Sequence, residues 1–189
     1  MSSEEDVITL QQNTEVNASS VFRYVELLFH NDGAVRKEAR GHLVRIGRPA
    51  IPYMLSLLSH PHDHVRWEAC KVLEKIRDPK TANALVGMLL DDDMDVRWVA
   101  ADALIELEHH AIVPLLELLE EYFESVTVRE AAHHILHSLK HMKLLDEKTE
   151  AVMDTLNNFE MPTRAAFAAT AALDSLRGKK KNSKRRIAV

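Results

Sequence analysis

The sequence predicts an all-α fold, a solenoid of about five helix pairs stacked on one another. A phrase beginning Val-Arg recurs along the chain, each copy carries apolar residues at helical spacing, and the composition favours helices. The phrase's valines are Val35, Val65, Val96 and Val128, so the steps are 30, 31 and 32 residues. The copies read AVRKEARGHLVRIG, HVRWEACKVLEKI, DVRWVAADALIEL and TVREAAHHILHSL. A degenerate fifth copy, RAAFAATAALDSL, puts Ala165 in the valine's place after a longer connection. A period near 31 residues sets the whole architecture, because each repeat is one supersecondary unit. Five glycines and six prolines in 189 residues are too few for a many-turned β fold, and a hydrophobic share of 46% supplies a sizeable core.

The elements follow in order. The first apolar segment, SVFRYVELLF, opens on Asn17, Ser19 and Ser20, residue types that cap helix N-termini. The first Val-Arg helix follows Asn31 and Asp32, the second follows Asp63, the third Asp93 and Asp95, and the fourth Ser125 and Thr127. Between them lie the second helices of each pair, AIPYMLSLL, ANALVGMLL, AIVPLLELL and EAVMDTLNNF. Pro49, Pro52, Pro79 and Pro114 fall at or near their first turns, where a missing N–H costs nothing. One such pair cannot bury its apolar stripe alone, so neighbours must stack into a continuous core.

The repeat domain is expected to span residues 17–177. An acidic segment, 1–16, and a basic tail, 178–189, are expected to be loose at either end. The last thirteen residues hold seven Lys or Arg and no acid, leaving 17 basic against 29 acidic side chains in the body, a net charge near −12. Such a body is not the footprint of a nucleic-acid-binding surface, whereas the tail is a candidate site for an anionic partner. The opening MSSEEDVITLQQNTE has neither the basic nor the apolar region of a secretory signal, and no run approaches the length of a membrane span. A single cysteine, Cys70, excludes an internal disulfide framework. The expected compartment is the cytoplasm.

A helical wheel at about 100° per residue places the tryptophans. With Val65 as origin, Ala69, Val72, Leu73 and Ile76 cluster with it, and Trp67 falls almost opposite. Lys71 and Glu74 share the Trp67 face, and Trp98, Asp102 and Ile105 take the same places one repeat on. Read across the copies, the tryptophan position holds Lys37, Trp67, Trp98, Glu130 and Phe167. Four residues on, the row reads Gly41, Lys71, Asp102, His134 and Ala171. Seven on, it reads Val44, Glu74, Ile105, His137 and Asp174.

The pattern D-x-V-R-W-x-A-A-x-A-L…A-I-V-P-L-L-E-L-L at 93–119 closely resembles HEAT-like repeats of the type named after phycobilisome lyases. The resemblance covers about residues 20–177. It implies a right-handed solenoid in which the PLLELL helix lies on the convex layer and the Val-Arg helix lines the concave groove. It also implies that Arg36, Arg66, Arg97 and Arg129 tie adjacent repeats together through acidic residues at the turns. Under this layer order Trp67, Trp98 and Phe167 are groove anchors for a protein or peptide, and Lys71, Glu74, Asp102, Ile105, His134 and His137 set the groove's polarity. The expected function is a non-catalytic interaction scaffold without a cofactor.

Several other chemistries have candidate residues in this chain. His133, His137 and His141 stand at i, i+4 and i+8, a spacing able to chelate a metal, but no Cys accompanies them and no acid stands at the spacing of a HExxH site. They are read as a solvated helix face, and HPHDH at 60–64 as a connector. Deoxyhypusine hydroxylases of this repeat type hold iron with His-Glu dipeptides after the Val-Arg phrase, and this chain contains no His-Glu dipeptide. HEAT-like alkylpurine DNA glycosylases pair groove aromatics with an aspartate one turn from a tryptophan, as Trp98 and Asp102 stand here. The DDDMD run at 91–95 opposes phosphate at that site. Phycobilin lyases work as paired, longer subunits, and no residue here is diagnostic of tetrapyrrole handling. These two activities are the alternatives to a scaffold.

Overall fold

The computed structural model of the chain describes residues 19–156 and 162–187, with side chains placed as far as Gly178. The segment 1–16 and Asn17 lie outside the described residues. The fold is an all-α solenoid. Its helices are α1 (19–27), α2 (Gly33–Ile46), α3 (Ile51–Leu57), α4 (Asp63–Ile76), α5 (Ala82–Gly87), α6 (Met94–Glu106), α7 (Ile112–Glu121), α8 (Val126–His141), α9 (Glu147–Leu156) and α10 (Thr163–Ile187). Short 3₁₀ turns precede α3, α5 and α7, with Pro49 and Pro79 in the first two and Pro52 at the start of α3.

Capping explains where the Val-Arg helices begin. Asp32 accepts from the Ala34 N–H, Asp93 from Val96, and Ser125 from Val128, each satisfying a donor the helix leaves open. At α4 the cap position falls to His62, and Asp63 sits inside the first turn, where its charge suits the positive end of the helix dipole. After the Val-Arg helices the backbone turns left-handed at the repeat interval, at Gly47, Arg77 and Glu108, with φ of 75°, 55° and 54°. Such a residue closes the last helical turn so that the chain can reverse. Glycine marks this place in the first repeat alone, which hides the pattern from inspection of the sequence.

The wheel's apolar stripe is the core. Val65, Ala69, Val72 and Leu73 of α4, and Val96, Ala100, Ala103 and Leu104 of α6, are buried and join one continuous cluster from Val21 to Leu173. The Val-Arg helices stack as a layer, α2 on α4, α4 on α6 and α6 on α8, while α5 packs on α7 in the second layer.

The last pair departs from the expected order. α9 stands against α8, and α10 packs on α7 and α9. The two helices have exchanged layers, so the fifth copy does not extend the row of Val-Arg helices. α10 turns the small side chains Ala165, Ala169 and Ala172 inward with Leu173, a stripe that permits close helix approach. Thr170 Oγ1 donates to Glu120, and Arg177 donates to Glu117 Oε1 at 2.9 Å, fixing α10 along α7. The basic segment expected to be loose from residue 178 continues α10 as helix to Ile187. It holds no proline, Lys and Arg are good helix formers, and their charge suits a helix C-terminus. Residues 188–189 lie outside the described residues.

Candidate partner-binding face

The four repeat arginines share one task that the sequence did not reveal. Each directs Nη1 at the carbonyls six and five residues before it, closing the turn into its own helix. Arg36 donates to His30 O and Asn31 O at 2.8 and 2.9 Å, and Arg66 to His60 O and Pro61 O at 2.9 and 3.2 Å. Arg97 donates to Asp91 O and Asp92 O at 2.7 and 2.9 Å, and Arg129 to Phe123 O and Glu124 O at 2.7 and 3.1 Å. The expected ties between repeats occur at two of them. Arg66 grips Asp91 with two hydrogen bonds of 2.7 Å, and Arg36 donates through Nε to Glu68 Oε1 at 2.9 Å. The second tie runs to a helix residue rather than a turn. Glu68 is only 2% exposed and also accepts from Arg40, so two cations of α2 hold one buried carboxylate of α4. At Arg97 the tie to the next repeat is lacking among the described residues, since the turn position matching Asp91 is Phe123.

The layer of α2, α4, α6 and α8 presents both tryptophans, in different states. Trp67 is half-buried, with the Arg40 guanidinium carbon 5.2 Å and Lys71 Nζ 5.7 Å from its ring centroid. Trp98 is 49% exposed, and the His134 ring meets it edge-on at a centroid distance of 5.0 Å. His134 Nε2 lies 3.9 Å from Asp102 Oδ1, so Trp98, Asp102 and His134 form one cluster bridging α6 and α8. Met94, one turn before Trp98, and Val126, at the start of α8, are 58% and 47% exposed. A depression of about 510 Å³ beside Trp98 is bordered by Val126, Glu130, His134, His137 and Leu156, and a smaller one of about 170 Å³ on its other side by Met94, Ala101 and Glu130. Glu130 holds the tryptophan's place one repeat on; Val126 was missed because it nears Trp98 only across the α6–α8 packing, and Met94 although it stands one turn before Trp98 on α6.

Other expected groove residues are placed differently. Phe167, 76% exposed, lies on α10, which packs on α7 and α9 and so belongs to the opposite layer, away from the tryptophans. Glu74 is buried and does not offer its carboxylate to a partner. It accepts from Lys71 at 2.7 Å and Lys75 at 2.6 Å. Burial pushes its pKa up, but these two lysines outweigh that and hold it below the usual range. Ile105 is half-buried against the core, and His137 is exposed, its Nε2 lying 3.3 Å from His141 Nε2. Among the described residues, no group of three His, Cys, Asp or Glu side chains is arranged to hold a metal ion.

Cys70 is fully buried, and burial, with the charge of Asp91, pushes its thiol up to about 12. In the folded protein at neutral pH it should resist a thiol-specific disulfide reagent and react fully once urea unfolds the chain, because the thiolate is the nucleophile. Rapid native labelling would show that α4 opens readily.

Among the described residues no helix is long and apolar enough to cross a membrane. The family model for HEAT repeats matches residues 24–105, and that for the PBS lyase HEAT-like repeat matches residues 96–121. Crystal structures of two engineered proteins are similar. One is 21% identical, with 86% of this chain and 81% of that chain covered and a TM-score of 0.39. The other is 23% identical, with 86% and 49% covered and a TM-score of 0.40, so this chain spans about half of its length. No curated protein matches this chain. With its Val-Arg phrase, its paired helices and its recurring turn arginines, the chain is a HEAT-like helical repeat protein.

Proposed function

We propose that the face formed by α6 and α8 binds a protein or peptide partner, with Trp98 as its principal anchor. The observation that carries this is the cluster of exposed Met94, Trp98 and Val126 beside the 510 Å³ depression, which Glu130, His134 and His137 border, with Asp102 next to His134. Single exposed apolar side chains are ordinary, whereas an aromatic anchor with apolar neighbours and a polar rim is the make-up of a protein interface. HEAT repeats commonly mediate protein interactions, which supports the same reading. Trp67, Lys71 and Ile105 extend the surface towards α2 and α4. The carboxylates beside Trp98 favour a cationic or neutral peptide over a phosphate backbone. No reaction and no cofactor are assigned to this face.

Trp98→Ala is expected to weaken a partner recovered from native lysate by about 30-fold or more, the effect of losing an interface anchor. It should change the stability of the free chain by only about 1 kcal/mol or less, since half the ring is already in water. Phe167→Ala, in the other layer, should leave both unchanged. Calorimetric titration of the three proteins decides it. Undiminished binding by Trp98→Ala would sink the proposal.

A further inference from the structure

The two tryptophans hold the same repeat position in different charge environments. Trp67 has cations of its own, Arg40 from the neighbouring α2 and Lys71 from the next turn of α4. One repeat on, the place of Arg40 is taken by Cys70 and the place of Lys71 by Asp102. Cys70 is neutral and buried, so it cannot substitute for a guanidinium. At Asp102 the charge is reversed. Trp98 thus keeps the ring, has greater exposure, and loses both cations.

The surroundings of Trp98 favour a cation from outside. Among the described residues no Lys or Arg stands over its ring, and its ring contact is with His134. Among the described residues Glu130, which borders both depressions beside the ring, makes no ion pair, and Asp102 pairs with His134 alone. The two arginines at the edges of these depressions, Arg97 and Arg129, direct their Nη1 groups to turn carbonyls instead. An aromatic face with carboxylates at its rim attracts a guanidinium or ammonium through the ring quadrupole and through direct charge.

We propose that Trp98, Asp102 and Glu130 form a recess for an arginine or lysine side chain of the partner, filled from outside as Arg40 and Lys71 fill Trp67 from within. This rests on the α6–α8 face being the partner surface, and it names the partner's chemistry as a basic peptide segment.

The test uses the full chain and a fluorescently labelled hexa-arginine peptide at low salt, read by anisotropy. Trp98→Ala, and separately Asp102→Asn with Glu130→Gln, should each weaken binding by about tenfold, the scale of a cation–π contact or a partly desolvated charge pair. Phe167→Ala should stay within about twofold, because α10 lies in the other layer, and a hexa-glutamate peptide should not bind. If the Trp98 and carboxylate variants bind hexa-arginine as tightly as the parent, the acidic body at large is responsible and the recess does not exist. A recovered partner that needs Trp98, yet binds equally well after its own Arg and Lys are changed to Gln, overturns the cation recess and leaves the partner surface standing. Normal capture of a partner by Trp98→Ala, with hexa-arginine binding lost, overturns the surface instead, and with it the partner-directed role of the recess.

Discussion

Asp91→Ala is expected to destabilise the solenoid by about 3–5 kcal/mol, the cost of removing one member of a buried ion pair. The Asp91 side chain is buried at the turn before α6, where it accepts two hydrogen bonds from Arg66 and a third from the Asp93 N–H. Its loss leaves the Arg66 guanidinium, itself largely buried, with only the carbonyls of His60 and Pro61. The tie between the second and third repeats goes with it. Because a repeat array holds together through nearest-neighbour interfaces, the urea transition of the variant should move to lower concentration and broaden. A loss below about 1 kcal/mol would show that water screens this pair as it does at an open surface.

The same carboxylate sets an acid limit. Burial pushes the Asp91 pKa up, but the hydrogen bonds from Arg66 and Asp93 and the charges of Arg66 and Arg97 more than offset this and hold it below its ordinary value. Asp78 is also held down, first by the Lys80 N–H and then, against burial, by Arg48. A group with a depressed folded pKa contributes stability that is fully present above its unfolded value, about 3.9 for Asp, and is lost as pH falls through the folded one. Parent stability should therefore fall steeply on acidification below about pH 4, and Asp91→Ala should show a shallower fall. Equal slopes for the two proteins would remove Asp91 from this account.

Leu104→Ala is expected to cost about 2–5 kcal/mol, the range for deleting a fully buried leucine side chain. Leu104 lies wholly inside, on the central helix α6, which packs on α4 and α8 within its layer and on α5 behind it. A cavity there is bordered by several repeats, so the surroundings cannot collapse without moving helices. The expected effect exceeds that of Trp98→Ala on the same helix, although tryptophan is the larger residue. Thermal or urea unfolding of both variants tests the ranking. A smaller loss at Leu104 than at Trp98 would mean that the α6 stripe is assigned to the wrong side.

Much of the repeat was legible before any coordinates. The Val-Arg interval located four helices, the wheel identified their buried stripes, and Asp32, Asp93 and Ser125 were recognised as caps. Three features were not legible. The Arg40 contact with Trp67, and the replacement of Arg40 by buried Cys70 at Trp98, depend on which side chains neighbouring helices bring together. Nothing in the sequence around Glu68 marks it as the carboxylate that two arginines of α2 enclose. Phe167 falls in register with the tryptophans by position and leaves their face because α9 and α10 exchange layers.

The sequence by itself determined the helix pairs, their period and the direction of each helix's apolar stripe. Those follow from local physics, namely 3.6 residues per turn, capping and the burial of apolar area. Tertiary structure alone decided which layer the last two helices occupy, which carboxylates are buried between arginines, and why two identical rings differ in exposure and charge. These are contacts between residues far apart in the chain, and a helical period says which way a side chain points without saying what stands opposite it.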